Sequence, residues 1–135
     1  MKVAAVQLTS TGNITENQEL ALAKIREAAG NGARLIVLPE ATAQNFHSGR
    51  LDEQAQTLEG PFATAIQALA EELEVTVVAG MFCPADTVER DGKTINRVTN
   101  TALIAGPGVL GGYDKIHTYD AFDYRESDTV LAGES

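Results

Sequence analysis

A single cysteine, Cys83, stands in a chain of 135 residues, so no internal disulfide framework is possible. No stretch of 18 apolar residues occurs, and the N-terminus lacks the basic-then-apolar pattern of a secretory signal. The expectation is a soluble protein of a reducing compartment, the cytoplasm. Basic residues are also scarce: 10 Lys and Arg stand against 19 Asp and Glu, a formal net charge of -9. That balance argues against a nucleic-acid or anionic-membrane surface. Only two histidines occur, His47 and His117. Neither has a partner four residues away or a cysteine pair nearby, so the sequence offers no metal site. Phosphate-cradling and serine-nucleophile motifs are missing too. Gly106, Gly108 and Gly111 match G-x-G-x-x-G, but the residues that follow read as a strand. A dinucleotide site needs a helix there, so this match carries no weight.

What is present is ample for one hydrophobic core, since 44% of the residues are hydrophobic. The segment R-L-I-V-L-P-E at 34–40 organises the rest. Its apolar run, 35–38, has the pattern of a strand buried on both faces. Pro39 has no N–H to give a ladder, and Glu40 follows at the strand's C-terminal end. Open α/β sheets place ligand sites at that end. On this segment alone, a solvated strand-end glutamate and a site acid are both compatible.

Around it the chain alternates. A strand is expected over 3–8, then a helix over 15–29 opened by the capping pair Thr15 and Gln18. Gly30 and Gly32 close that helix. A second helix starts at Pro61, with Phe62, Ile66, Leu69, Ala70 and Leu73 as its buried stripe. A third strand follows over 75–82. These are two βαβ units, so their strands should be parallel neighbours. A charged loop with the Asp91-Gly92 turn is expected next, then a hairpin of strands over 94–105 and 109–116. The segment 41–59 is polar and irregular, and loops at this sheet edge commonly line a pocket. The last residues, 121–135, show no clear period.

Lys115, His117 and Tyr113 alternate along the last strand and should share a face. An exposed edge-strand lysine and a site lysine are both compatible with that placement. Glu126 is not distinguished from Asp123 or Asp128 by any local pattern. Cys83 sits in apolar A-G-M-F-C-P, with no base or cation beside it to activate a thiol. It reads as a small buried hydrophobe.

Together, L-P-E at 38–40, N-T-A-L-I at 100–104 and Y-D-K-I-H-T-Y-D at 113–120 resemble the nitrilase, or carbon–nitrogen hydrolase, superfamily. The opening V-A-A-V-Q-L and the spacing of these motifs fit as well, and the resemblance spans the whole chain. The segments at 118–122 and 126–133 look most like bacterial amidases acting on deaminated glutathione.

The resemblance implies a site of glutamate, lysine and cysteine with a second glutamate. Glu40 falls on the general base, Lys115 on the lysine, and Glu126 on the second glutamate. Cys83 falls on a structural strand end. The nucleophilic cysteine of the family would lie in a segment of the type C-Y-D-L-R-F-P-E, which residues 1–135 do not contain. Family domains are about twice this length and fold as an α-β-β-α sandwich. The expectation is therefore a partial domain over 1–135: the N-terminal half of that sandwich, a mixed sheet with helices on one face.

The implied chemistry is amide hydrolysis by thiol acyl transfer on a small molecule, without metal or organic cofactor. His47, Arg50, Tyr113 and His117 are the expected substrate contacts. His47 and Arg50 are suited to a substrate carboxylate. A homo-oligomer, or a second chain supplying the missing half, is the expected partner. The alternative is a catalytically inactive fragment or interaction subunit on the same scaffold.

Overall fold

A computed structural model describes residues 1–134. The chain runs β1 (Val3–Ala5), α1 (Ile14–Gly30), β2 (Leu35–Val37), α2 (Pro61–Leu73), β3 (Thr76–Arg90), β4 (Lys93–Gly106) and β5 (Val109–Asp114). A small hairpin follows, β6 (Asp120–Ala121) and β7 (Tyr124–Arg125), and then a 3₁₀ turn at Glu126–Asp128. Strands β1 to β5 form one mixed sheet in chain order. The pairs β1–β2 and β2–β3 are parallel, as two βαβ crossovers require. The pairs β3–β4 and β4–β5 are antiparallel hairpins.

Both helices lie on one face. In α2, Phe62, Ile66, Leu69 and Ala70 recur at helical spacing and are buried. In α1, Ala21 and Ile25 do the same. They pack against Ile36, Val77, Ala79, Met81, Leu103 and Ala105, which alternate along β2, β3 and β4. The intervening residues point the other way. On that second face Val3 is 54% exposed, Val37 37% and Val109 49%. The expectation that β2 is buried on both faces therefore fails: Ile36 is buried and Val37 is exposed. Only the end of the second face near the loops is covered. There Phe46 lies edge-on to Phe82, with ring centroids 5.2 Å apart, and Leu51, Val98 and Val130 close a smaller cluster.

Three local expectations are corrected. Helix α1 is capped by Asn13, whose side chain accepts the Glu16 N–H, and not by Thr15. Asn13 has the extended backbone a cap needs, which leaves Thr15 inside the first turn. Strand β3 does not stop at Phe82. It passes Pro84 through an irregularity between Pro84 and Thr87 and re-pairs with β4 as far as Arg90. Asp91 and Gly92 then turn the hairpin, both at positive φ. The patternless final segment holds the β6–β7 hairpin, turned by Phe122 and Asp123 at positive φ. No helix among the described residues is long and apolar enough to cross a membrane.

The asymmetry of the sheet is testable by urea unfolding of this chain. Ile36→Ala, on the helix face, is expected to cost about 2–5 kcal/mol. Val37→Thr, on the open face, is expected to change stability by less than about 0.5 kcal/mol. Equal costs would show that the second face is covered in solution.

Candidate active site

Strand β2 delivers Glu40 through a turn laid directly on β3. Leu38 N–H still donates to Val78 O at 2.8 Å, and Pro39 then breaks the ladder. The Pro39 carbonyl accepts from Gly80 N at 3.2 Å and from the Thr42 hydroxyl at 2.6 Å. Gly80 has to be glycine for this contact. A Cβ there would sit 2.5 Å from Ala41 N and 2.8 Å from Glu40 Cα. Ala41 adopts φ 60°, an unfavourable backbone conformation for a residue with a side chain. Its carbonyl is held by the Ser10 hydroxyl at 2.9 Å. Further along the loop, buried Asn17 of α1 donates to the Ala43 carbonyl at 2.9 Å.

Lys115 is the first residue after β5. Its N–H donates to Asn100 O at 2.8 Å, and its carbonyl accepts from Gly133 N at 2.9 Å. The backbone is thus gripped on both sides and the side chain crosses to Glu40. Lys115 Nζ lies 3.3 Å from Glu40 Oε1. It also lies 3.1 Å from Glu126 Oε1 and 3.3 Å from Glu126 Oε2. Glu126 is the buried member, its side chain only 4% exposed. Tyr119 N–H donates to Glu126 Oε1 at 2.7 Å, and Glu126 N–H donates back to Tyr119 O at 3.0 Å. This reciprocal pair closes the 119–126 hairpin around the carboxylate. Asp120 reinforces it by accepting from Ser127 N–H and Oγ–H at 3.0 and 2.8 Å. Those bonds hold the Asp120 carboxyl below the usual carboxylate range.

Two carboxylates therefore flank one ammonium. Partial burial works against the charged lysine, but the Glu126 hydrogen bond and the charges of Glu40 and Glu126 outweigh it. Lys115 sits above the ordinary lysine range. Asn100 joins the group: its Nδ2 donates to Glu40 Oε1 at 2.7 Å. No local pattern around Asn100 assigns it a role. The available signal was a polar side chain heading the apolar run T-A-L-I on a central strand.

Glu40 and Lys115 both line each of two cavities. One, of about 400 Å³, lies on the open sheet face and is lined by Glu40, Gly80, Asn100, Tyr113, Lys115 and His117. The other, of about 340 Å³, is lined by Glu40, Phe46, His47, Lys115, Tyr124 and Glu126, with Tyr119 at its side. Of the expected substrate contacts, Tyr113, His117 and His47 line cavities that contain the charged cluster. Arg50 does not: it lines an adjoining groove of about 550 Å³. Its guanidinium is clamped by Asp52, with Nε and Nη2 at 3.0 and 2.6 Å from the two carboxylate oxygens. Cys83 lies on the other face, half-buried against the helix-side core, where burial pushes its thiol pKa up. Among the described residues no three His, Cys, Asp or Glu side chains converge as a metal site.

The family model for carbon–nitrogen hydrolase matches residues 2–135. A hydrolase of Mycobacterium tuberculosis is 40% identical over 98% of this chain and 46% of its own length. A deaminated glutathione amidase of Synechocystis is 36% identical over 97% of this chain and 49% of its own. The chain spans about half the length of the curated relatives it matches. Among solved structures, a CN-hydrolase superfamily protein from Xanthomonas campestris superposes with a TM-score of 0.72 at 25% identity, over 94% of this chain and 43% of that one. An amidase from Nesterenkonia shares the fold with a TM-score of 0.75 at 19% identity, over 100% of this chain and 49% of that one.

The lysine provides a check on the cluster. A raised folded-state value means Lys115 contributes stability below about pH 10.4, the unfolded lysine value, and loses it as pH rises through the folded value. Glu126→Gln removes the closest partner and is expected to lower the Lys115 titration midpoint, followed by NMR of the lysine Cε. An unchanged midpoint would show that the pair is not formed in solution.

Proposed function

Because this chain belongs to the carbon–nitrogen hydrolase family, we propose that it carries the acid–base side of an amidase-like site that hydrolyses a small amide by thiol acyl transfer. The observation that carries this reading is the ammonium of Lys115 held between Glu40 and Glu126, beside cavities large enough for a small substrate. Cys83 is on the wrong face for attack, so the nucleophilic thiol in this reading comes from outside residues 1–135. It is supplied by further chain of the same domain or by a second chain. That same element would cover the open sheet face.

In the first step the thiol sulfur bonds to the amide carbon while Glu40 takes the thiol proton. Lys115 offers a fixed positive charge to the oxyanion that develops. Collapse of this intermediate breaks the C–N bond, and Glu40 returns its proton to the departing nitrogen. Water then attacks the thioester with Glu40 again as base, releasing the acid and the free thiol. Glu126 touches Lys115 and orients it. His47, Tyr113 and His117 shape the cavities around the substrate. In this reading Arg50 would meet a substrate carboxylate only through the adjoining groove and only by loosening its hold on Asp52. The proposed setting is the cytoplasm, where a thiol nucleophile stays reduced.

One observation favours a second reading, a non-catalytic interaction subunit. The open sheet face presents an apolar row, which suits a partner surface. Turnover separates the two. Ammonia release from small primary amides, measured with the whole protein at its relatives' length, is expected for the enzyme. Glu40→Gln should then lower kcat by about 10²–10⁴-fold. Retained turnover in that variant would reject Glu40 as the base, and no turnover in the unmodified protein would favour the interaction subunit.

A further inference from the structure

We infer that Asn100 is a positioning residue for the acid–base pair and that it reserves Oε2 of Glu40 for proton transfer. This rests on the hydrolase reading and adds to it a residue and an atom. Asn100 is 4% exposed and sits on β4 opposite Phe82, at the covered end of the second sheet face. A buried amide in such a place is costly unless hydrogen-bonded. Its side chain meets that need at Glu40: Nδ2 lies 2.7 Å from Oε1. The orientation of the amide follows from chemistry, because an ionised carboxylate only accepts.

Lys115 Nζ reaches the same oxygen at 3.3 Å. Oε1 is thus taken twice, while Oε2 has no hydrogen-bond partner among the described residues. The Glu40 side chain is 54% exposed, so the carboxylate's free edge remains open to an incoming group. The two contacts also fix the carboxylate plane. Without Nδ2, the carboxylate would be free to rotate about its last torsion, which is broad for an sp³–sp² bond.

Asn100 acts on the lysine as well. Its carbonyl accepts Lys115 N–H at 2.8 Å. One residue on a central strand therefore sets the base through its side chain and the ammonium through its backbone. The side chain adds no charge of its own. A carboxylate here would repel Glu40, and an aliphatic residue would leave Glu40 with Lys115 alone.

The test uses two near-isosteric variants of the whole protein, Asn100→Leu and Asn100→Asp. Both are expected to lower kcat by about 10- to 100-fold, the scale of a lost hydrogen bond to a charged group, with KM within about twofold. Asn100→Asp is also expected to move the acid limb of the kcat/KM profile to higher pH, because two adjacent carboxylates retain a shared proton. Near-normal kcat in Asn100→Leu, or losses confined to KM or to melting temperature, would overturn the inference. A companion measurement needs no activity. In the ¹⁵N-labelled 135-residue chain, Glu40→Gln should shift the Asn100 side-chain amide protons upfield, and unmoved resonances would overturn the contact itself. If the unmodified protein hydrolyses no amide while this shift is present, the hydrolase reading fails and the Asn100–Glu40 contact stands.

Discussion

The site depends on one electrostatic arrangement: an ammonium shared by two carboxylates drawn from distant parts of the chain. Glu40, Lys115 and Glu126 come from three separate segments, Lys115 and Glu126 placed by their own backbone hydrogen bonds and Glu40 by those of its neighbours Leu38, Pro39 and Ala41. Two carboxylates this close would repel without the lysine between them. The lysine in turn would lose hydration for nothing without the acids. The arrangement forms as a unit, and it ties the β6–β7 hairpin to the main sheet. Asp128 strengthens that tie through Arg90, 3.1 Å away on the long β3 extension. Arg97 on β4 is in turn held by Asp86 across the same two strands.

The sheet keeps its main core and the charged cluster on opposite faces. Residues of one parity meet α1 and α2 and make the main core. Residues of the other parity include Gly80, Phe82, Asn100 and Tyr113 and carry the site. Gly80 is the point where the two demands meet. Its missing side chain lets the Pro39–Glu40–Ala41 turn lie on β3, so Glu40 is placed by backbone packing and not by a flexible loop. This division explains why an open apolar face can coexist with a well-packed core in one chain.

Much of this was legible in the sequence. The apolar run before Pro39 marks β2, and Gly30 and Gly32 after one helix and Pro61 at the start of the next mark two helices, so the paired βαβ units follow from pattern alone. The acid at the tip of β2 is readable for the same reason. Lys115 and Glu126 are not, since one resembles an edge-strand lysine and the other an ordinary loop acid. Only their order within the family motifs selects them. The extension of β3 past Pro84 was hidden because proline and charged residues look like a loop. The pairing that overrides them comes from β4, across the hairpin. Arg50 lies in the adjoining groove, and a basic loop residue gives no hint that Asp52, two positions on, holds it. Asn100 is decided by a partner sixty residues away, which no local pattern reveals.

In the proposed reading, Glu40 and Lys115 work as one device on one substrate. A double-mutant cycle tests this most directly, with Glu40→Gln, Lys115→Met and the double variant compared by kcat/KM in the whole protein. Strong non-additivity is expected, the double variant being about as slow as the slower single variant, as for residues that act as a unit. Losses that multiply independently would contradict it, because they would place the two groups in separate tasks.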